Sequence, residues 1–216
     1  MYTAFSAFLS RLSGQSDIVL GTPVSGRERP GLESIVGIFI NTLVLRSTFD
    51  GHLPFDKQVA SSHENLQKVY QNMDVPFELL VNELNPQRNS SFSPLFQILF
   101  DYSSRTDTME NLTSLDIQPV SFSESQIKFD LEVTCFEAPE GLKLSWQFAR
   151  DLFKESTIER MIAQFQTFLK SIVTAPNTAL GHLSFISEQD KFLMQIATSS
   201  QAAMEKVSVL AQFHKV

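Results

Sequence analysis

Polar residues set inside apolar runs mark where this sequence could do chemistry, and Asn41 and Thr42, within residues 39–49, are the clearest case. A buried amide must find hydrogen-bond partners or cost stability, so Asn41 serves either a structural network or a cleft. Arg27 and Arg29 sit in a basic loop, residues 25–31 (SGRERPG), suited to a solvated turn or to contact with a phosphate or carboxylate. Asp130 and Glu132 share one side of an alternating run, which reads as a solvated strand face or as a paired acid and base. Cys135 falls on the apolar side of the same run and reads as a core residue rather than a nucleophile. The four histidines, His52, His63, His182 and His214, are dispersed, and none has metal-ligand spacing. No GxSxG elbow or phosphate-cradling glycine loop occurs, so hydrolase, kinase and dinucleotide-binding readings lack a starting point.

Composition narrows the class further. A chain of 216 residues corresponds to one large unit or two small lobes when a domain is about 150 residues. With 43% hydrophobic residues, 19% charged and 19 phenylalanines, it is far too apolar for a disordered segment. A net charge of -7 argues against nucleic acid or an anionic membrane as partner, since both recruit cationic surfaces. The single cysteine excludes an internal disulfide and favours a reducing, cytoplasmic setting. No run approaches the roughly 18 to 20 apolar residues of a membrane span.

Periodicity supplies the elements that must position these residues. Tyr2, Phe5, Phe8, Leu9 and Leu12 trace one apolar helix face that ends near Gly14. A chain opening directly on a core-facing helix is expected to be part of a larger unit. Residues 18–24 (IVLGTPV) and 39–49 read as strands, residues 55–73 as an amphipathic helix, and Pro76 as the start of a shorter one. Residues 95–102 (LFQILFDY) read as a central strand, with a further segment at 114–122. Residues 128–136 and 142–148 alternate across a turn at 138–141, as a hairpin does. Ser156 with Glu159 has capping-box spacing and opens a helix that carries Phe165 and Phe168. The predicted fold is α/β, a mixed β-sheet covered by helices, formed by residues 1–176. Residues 177–216, with a weaker pattern at 183–196, read as a linker.

Four segments together resemble a known family. Residues 21–27 (GTPVSGR) with 35–46 (IVGIFINTLVLR), then 72–79 (NMDVPFEL), then 88–100 (RNSSFSPLFQILF), resemble in order the motifs of the nonribosomal peptide synthetase condensation domain. Residues 128–131 (KFDL) and 151–153 (DLF) extend the likeness, and 183–189 (LSFISEQ) resembles the linker that precedes an adenylation domain. The resemblance implies a chloramphenicol-acetyltransferase-like fold of two lobes with a substrate tunnel between them, of which this chain resembles the C-terminal lobe only. The family's HHxxxDG signature belongs to the other lobe and has no counterpart here, because no two histidines are adjacent. The implied activity is amide-bond formation between carrier-bound aminoacyl or peptidyl thioesters, by the ordinary condensing type. The chain alone is expected to be inactive, with no catalytic residue of its own.

The implied partners are peptidyl carrier proteins, the N-terminal lobe of the condensation domain and an adjacent adenylation domain. No cofactor is expected to bind directly, since substrates arrive on phosphopantetheine. Matching residue by residue, Arg27, Asn41, Thr42, Asp74 and Arg88 become candidates for the tunnel or lobe interface. Pro76, Phe77 and Glu78 complete the third motif, and Asn89 stands where an acid usually follows the arginine. Either Arg27 or Arg88 could pair with the aspartate of HHxxxDG. The rival reading is a noncatalytic module that docks carrier proteins.

Overall fold

The computed structural model describes residues 1–32, 34–86, 93–103, 127–138 and 141–199. The chain begins with helix α1 (Tyr2–Ser13), followed by β1 (Asp17–Val24) and β2 (Asn41–Thr48). Helices α2 (Phe55–Gln71) and α3 (Phe77–Leu84) lead to β3 (Ile98–Ser103). The hairpin β4 (Leu131–Ala138) and β5 (Gly141–Phe148) precedes helix α4 (Glu155–Thr174) and helix α5 (Glu188–Ser199). The five strands form one sheet in the order β2-β1-β3-β4-β5. The central strands β1, β3 and β4 run parallel, and the edges β2 and β5 are antiparallel to their neighbours. The expected mixed α/β sheet is therefore what forms, and the segment at 114–122 lies outside the described residues.

Alternation directs one side of every strand to a common core. Ile18 and Leu20 of β1, Phe100 of β3, and Leu131, Val133 and Cys135 of β4 join α1 and α4 in a single cluster. The opposite side of β4 is half-buried rather than fully solvated, because Glu132, Thr134 and Phe136 are partly covered. Burial pushes the Cys135 thiol above its ordinary range, which suits a packing residue and not a nucleophile.

Helix α1 differs from the one-sided helix its periodicity predicts, since every residue from Thr3 to Ser10 is buried. Ala4 precedes Phe5, and Ser6 and Ala7 fill the positions between it and Phe8; these small side chains let neighbouring elements close on all sides. Phe5 stacks on Phe100 at 5.1 Å and meets Phe165 edge-on at 5.7 Å, so one ring touches both the sheet and α4. Phe8 extends the contact to Phe168 at 6.1 Å and Phe185 at 6.3 Å.

On the other side of the sheet a smaller cluster forms. Phe96 lies 5.7 Å from Phe77 and 5.0 Å from Phe129, and its ring covers Gly21 so closely that a Cβ there would collide with it. The start of α4 also departs from expectation. Lys154 occupies the N-cap without a side-chain cap, and Ser156 lies inside the first turn, where Glu155 supplies the favourable negative charge.

Residues past 176 begin packed on the same core. Leu180 and Leu183 belong to it, and the backbone of 178–181 bonds to residues 51–55 through Phe55 N to Thr178 O, Leu180 N to Leu53 O and Gly181 N to Gly51 O. Asp190 is held by Gln164 and Ser187, each donating at 2.8 Å, which fixes the start of α5 against α4.

Truncating Phe8 to alanine should destabilise the fold by about 3 to 5 kcal/mol, measured by denaturant unfolding. A second expectation concerns Asp101 on β3, whose carboxyl is pushed above its ordinary value of 3.8 by burial. A raised acid pKa lowers stability as pH rises through it, so Asp101→Asn should raise the melting temperature more at about pH 8 than at about pH 4. Equal gains at both values would show that Asp101 is not the titrating group.

Candidate functional site

Four of the five candidate residues meet at the carboxyl end of β1. The chain leaves Val24 into a loop, residues 25–40, that returns as β2. Gly26 adopts φ 65°, and a Cβ there would collide with the carbonyl oxygen of Phe39, so the loop closes on itself only with glycine at this position. Ser25 then accepts from Arg27 N at 3.2 Å and donates to Glu28 at 2.9 Å, forming a local turn.

Arg27 points back into its own loop. Its Nη1 donates to the carbonyls of Leu32 at 2.6 Å and Ile35 at 2.8 Å, and its Nη2 donates to Gly37 at 2.9 Å. Its guanidinium also sits 4.3 Å from the Phe39 ring centre. A planar fork can serve several carbonyls while lying on an aromatic face, which a lysine cannot reproduce. Within the basic loop, Arg27 thus serves backbone carbonyls, while Arg29 makes the carboxylate contact, to Asp74. Phe39, which sequence reasoning missed, is the ring that completes the clamp, and an arginine and an aromatic bracketing a glycine-bearing loop was the available signal.

Asn41 fastens this loop to the neighbouring turn. Its Nδ2 donates to the carbonyls of Met73 and Val75, both at 2.8 Å, and its Oδ1 accepts from Phe77 N at 3.2 Å and Thr42 N at 2.9 Å. All of the amide's hydrogen-bonding capacity is used, so the polar residue in an apolar strand is a staple between β2 and the α2–α3 turn. Asp74 lies in that turn and pairs with Arg29 at 2.5 Å, although both side chains are mostly exposed. An exposed pair of this kind contributes about 0 to 1 kcal/mol. Asn41, Thr42 and Asp74 thus gather at the α2–α3 turn, Arg29 ties Arg27's loop to the same turn, and Arg88 lies outside the described residues.

The clamped loop presents apolar side chains outward. Val36, Ile38 and Ile40 are 99%, 95% and 69% exposed. A row of bare aliphatic residues on a fixed backbone is the kind of patch that marks contact sites on other proteins. The cluster contains no proton-transfer pair. His52, His63 and His182 are exposed and lie in other elements, and among the described residues no group of three histidine, cysteine, aspartate or glutamate side chains could hold a metal ion. No helix of the described residues is long and apolar enough to cross a membrane.

The family model for the condensation domain matches residues 1–194. The chain belongs to the condensation domain family. Its relatives include a component of the linear gramicidin synthase of Brevibacillus parabrevis, 38% identical over 88% of this chain and 4% of that protein. Gramicidin S synthase 2 of Brevibacillus brevis is 34% identical over 88% of this chain and 4% of its own length. A four-domain nonribosomal peptide synthetase bound to AMP and glycine superposes with a TM-score of 0.79 at 23% identity, over 88% of this chain and 16% of that one. The first condensation domain of the CDA synthetase superposes with a TM-score of 0.66 at 20% identity, over 85% of this chain and 40% of that one. The chain therefore spans a small part of its synthetase relatives and under half of a solved condensation-domain chain, and its fold is the chloramphenicol-acetyltransferase-like fold of those domains.

Within this condensation-domain chain, Asn41→Ala strips partners from two carbonyls and two amides at once. The substitution should destabilise the fold by about 1 to 3 kcal/mol and speed hydrogen exchange at the Phe77 amide. Arg27→Lys should leave overall stability nearly unchanged while raising exchange across residues 34–39. Unaltered exchange there would remove the clamp from the account.

Proposed function

We propose that this chain is the C-terminal lobe of a condensation domain and forms one wall of the tunnel in which two carrier-bound thioesters react. The observation that carries this reading is the clamped loop with Val36, Ile38 and Ile40 bare, joined through Asn41 and Asp74 to the α2–α3 turn. The reaction joins the amine nitrogen of one aminoacyl thioester to the carbonyl carbon of the other. The carbon–sulfur bond breaks, and the amine proton ends on the departing phosphopantetheine thiol. Holding the two reactants at attack distance supplies much of the acceleration, and that role falls to the walls. The remaining part of the domain would supply HHxxxDG, whose histidine titrates near neutrality and would orient or deprotonate the amine.

In this reading Arg27 shapes the wall through three bonds to the loop's own carbonyls, and its remaining donors leave it or Arg88 to pair with the aspartate of HHxxxDG. The carrier proteins would present substrates at the two tunnel mouths in a cytoplasmic synthetase. An adenylation domain would follow α5, where Phe192 and Leu193 are more than half exposed.

The test is to co-express this chain with the HHxxxDG-bearing portion of a condensation domain and assay amide formation between two aminoacyl carrier proteins. Neither part should act alone, and the pair should. In the active pair Arg27→Ala should lower turnover at least about ten-fold, since about 1.4 kcal/mol of lost positioning gives that factor. A pair that associates and stays inactive, with carrier proteins still bound, would favour the noncatalytic docking module. One solved neighbour, the X-domain from teicoplanin biosynthesis, which superposes with a TM-score of 0.75, is seen in complex with OxyB.

A further inference from the structure

A recess lies beside the Asn41 staple. It has a volume of about 310 Å³ and is lined by Thr42, Leu43 and Val44 of β2, by Lys68, Val69 and Asn72 of α2, and by Val75, Phe77 and Leu80. Successive strand side chains point to opposite faces, so a cavity touching three consecutive residues of β2 must lie at that strand's edge. β2 is an edge strand, and its free side is the floor.

The register fixes which backbone groups face the recess. Phe49 N donates to Ser16 O, and the pairing continues through Ile18 with Ser47, Leu20 with Leu45 and Thr22 with Leu43. These are the hydrogen-bonded pairs, so Thr42, Val44 and Arg46 turn their N–H and C=O groups outward. Thr42 N is taken by Asn41 Oδ1, and Arg46 O accepts from Asn65 Nδ2. Val44 N–H and C=O have no hydrogen-bond partner among the described residues. Of these three residues only Val44 leaves both of its groups open, between the Asn65 contact on one side and the Asn41 staple on the other. From Thr42 to Arg46 the edge spans roughly 13 Å at the ordinary strand rise.

We infer that this recess binds one extended residue of a small peptide amide with an apolar side chain, paired through its own N–H and C=O to Val44. The outward donor and acceptor of Val44 match the two groups that an opposing residue exchanges in an antiparallel pair. Val69, Val75, Phe77 and Leu80 make an apolar wall for its side chain, and the volume lies at the lower end of small-molecule sites, about 300 to 1,000 Å³. Asn41 takes Thr42 N and Asn65 takes Arg46 O, so a longer strand would lose a ladder bond on each side of Val44, which favours a capped single residue over an added β-strand. An occupant would press on Val75 and Phe77, the residues that Asn41 holds.

This inference does not use the condensation reading. The probe carries no thioester and the chain is tested alone, so an inactive reconstituted domain would leave it standing, and an empty recess would leave that reading standing. The experiment titrates N-acetyl-L-leucine N-methylamide into the full chain, following backbone amide shifts by NMR. The expected result is saturable movement of the Val44 and Phe77 amides. The analogue with oxygen in place of the leucyl N–H should bind roughly three- to ten-fold more weakly, since it loses one hydrogen bond to Val44 C=O. Leu80→Trp, which fills the recess, should abolish the shifts. If that variant does not fold, Val69→Phe takes its place. Equal affinity of amide and oxygen analogue, shifts confined to other regions, or undiminished binding by the filled variant would each overturn the proposal.

Discussion

Eight consecutive buried residues in α1 can be accommodated only if the sheet, α2 and α4 all close on one helix, and that enclosure positions the rest of the fold. An ordinary surface helix buries one stripe and solvates the other. Here Phe5 meets Phe100, Trp146 and Phe165, linking β3, β5 and α4 through a single ring. Tyr2 Oη lies 2.9 Å from Ser47 Oγ and so ties the same helix to the edge strand β2. Arg11 donates to the carbonyl of Leu180 and lies over Phe185, which brings the segment after α4 back to the start of the chain. Movement of α1 would loosen contacts on every side at once.

The cluster around Asn41 depends on this frame at one remove. β2 lies at the edge of the sheet, where strands are ordinarily free to pair with other chains. Tyr2 holds its Ser47 end from the core side, Asn65 covers the carbonyl of Arg46, and Asn41 fastens its first residue to the α2–α3 turn. Arg46 adds an exposed pairing to Asp17 on β1 at 2.8 Å, and its hydrogen bonds hold the Asp17 carboxyl below its ordinary range. The edge is therefore anchored toward both ends, which lets a long loop leave β1 and return without losing register.

Much of the fold was legible because period-two alternation survives in β4 and β5 and helical periodicity survives in α2 and α4. The full burial of α1 was not legible, since Thr3, Ser6 and Ser10 look polar in sequence and only the tertiary environment shows that their small size matters. The cap of α4 was misplaced for a related reason: the Ser156 and Glu159 spacing is correct for a cap, but the chain turns helical one residue before Ser156. At the site, motif matching gathered Arg27, Asn41, Thr42 and Asp74 but gave no direction for any of them. An arginine in sequence carries no sign of whether it faces an anion or its own backbone, and Phe39, which decides the matter for Arg27, is separated from it by twelve positions.

The placement of the loop follows from strand direction. β1, β3 and β4 are parallel, so their carboxyl ends, Val24, Ser103 and Ala138, lie at one end of the sheet. Open α/β sheets place ligands outside the carboxyl ends of their strands, because the chain there is free of ladder constraints and can be shaped by side chains. The loop 25–40 leaves from that end of β1, and its shape is set by Gly26, Arg27 and Phe39 rather than by strand pairing. A surface made this way keeps its aliphatic residues outward because its polar groups are already satisfied inward. The core on one side of the sheet and the contact surface at its end can then vary separately, provided that Asn41, which belongs to both strand and loop, stays in place.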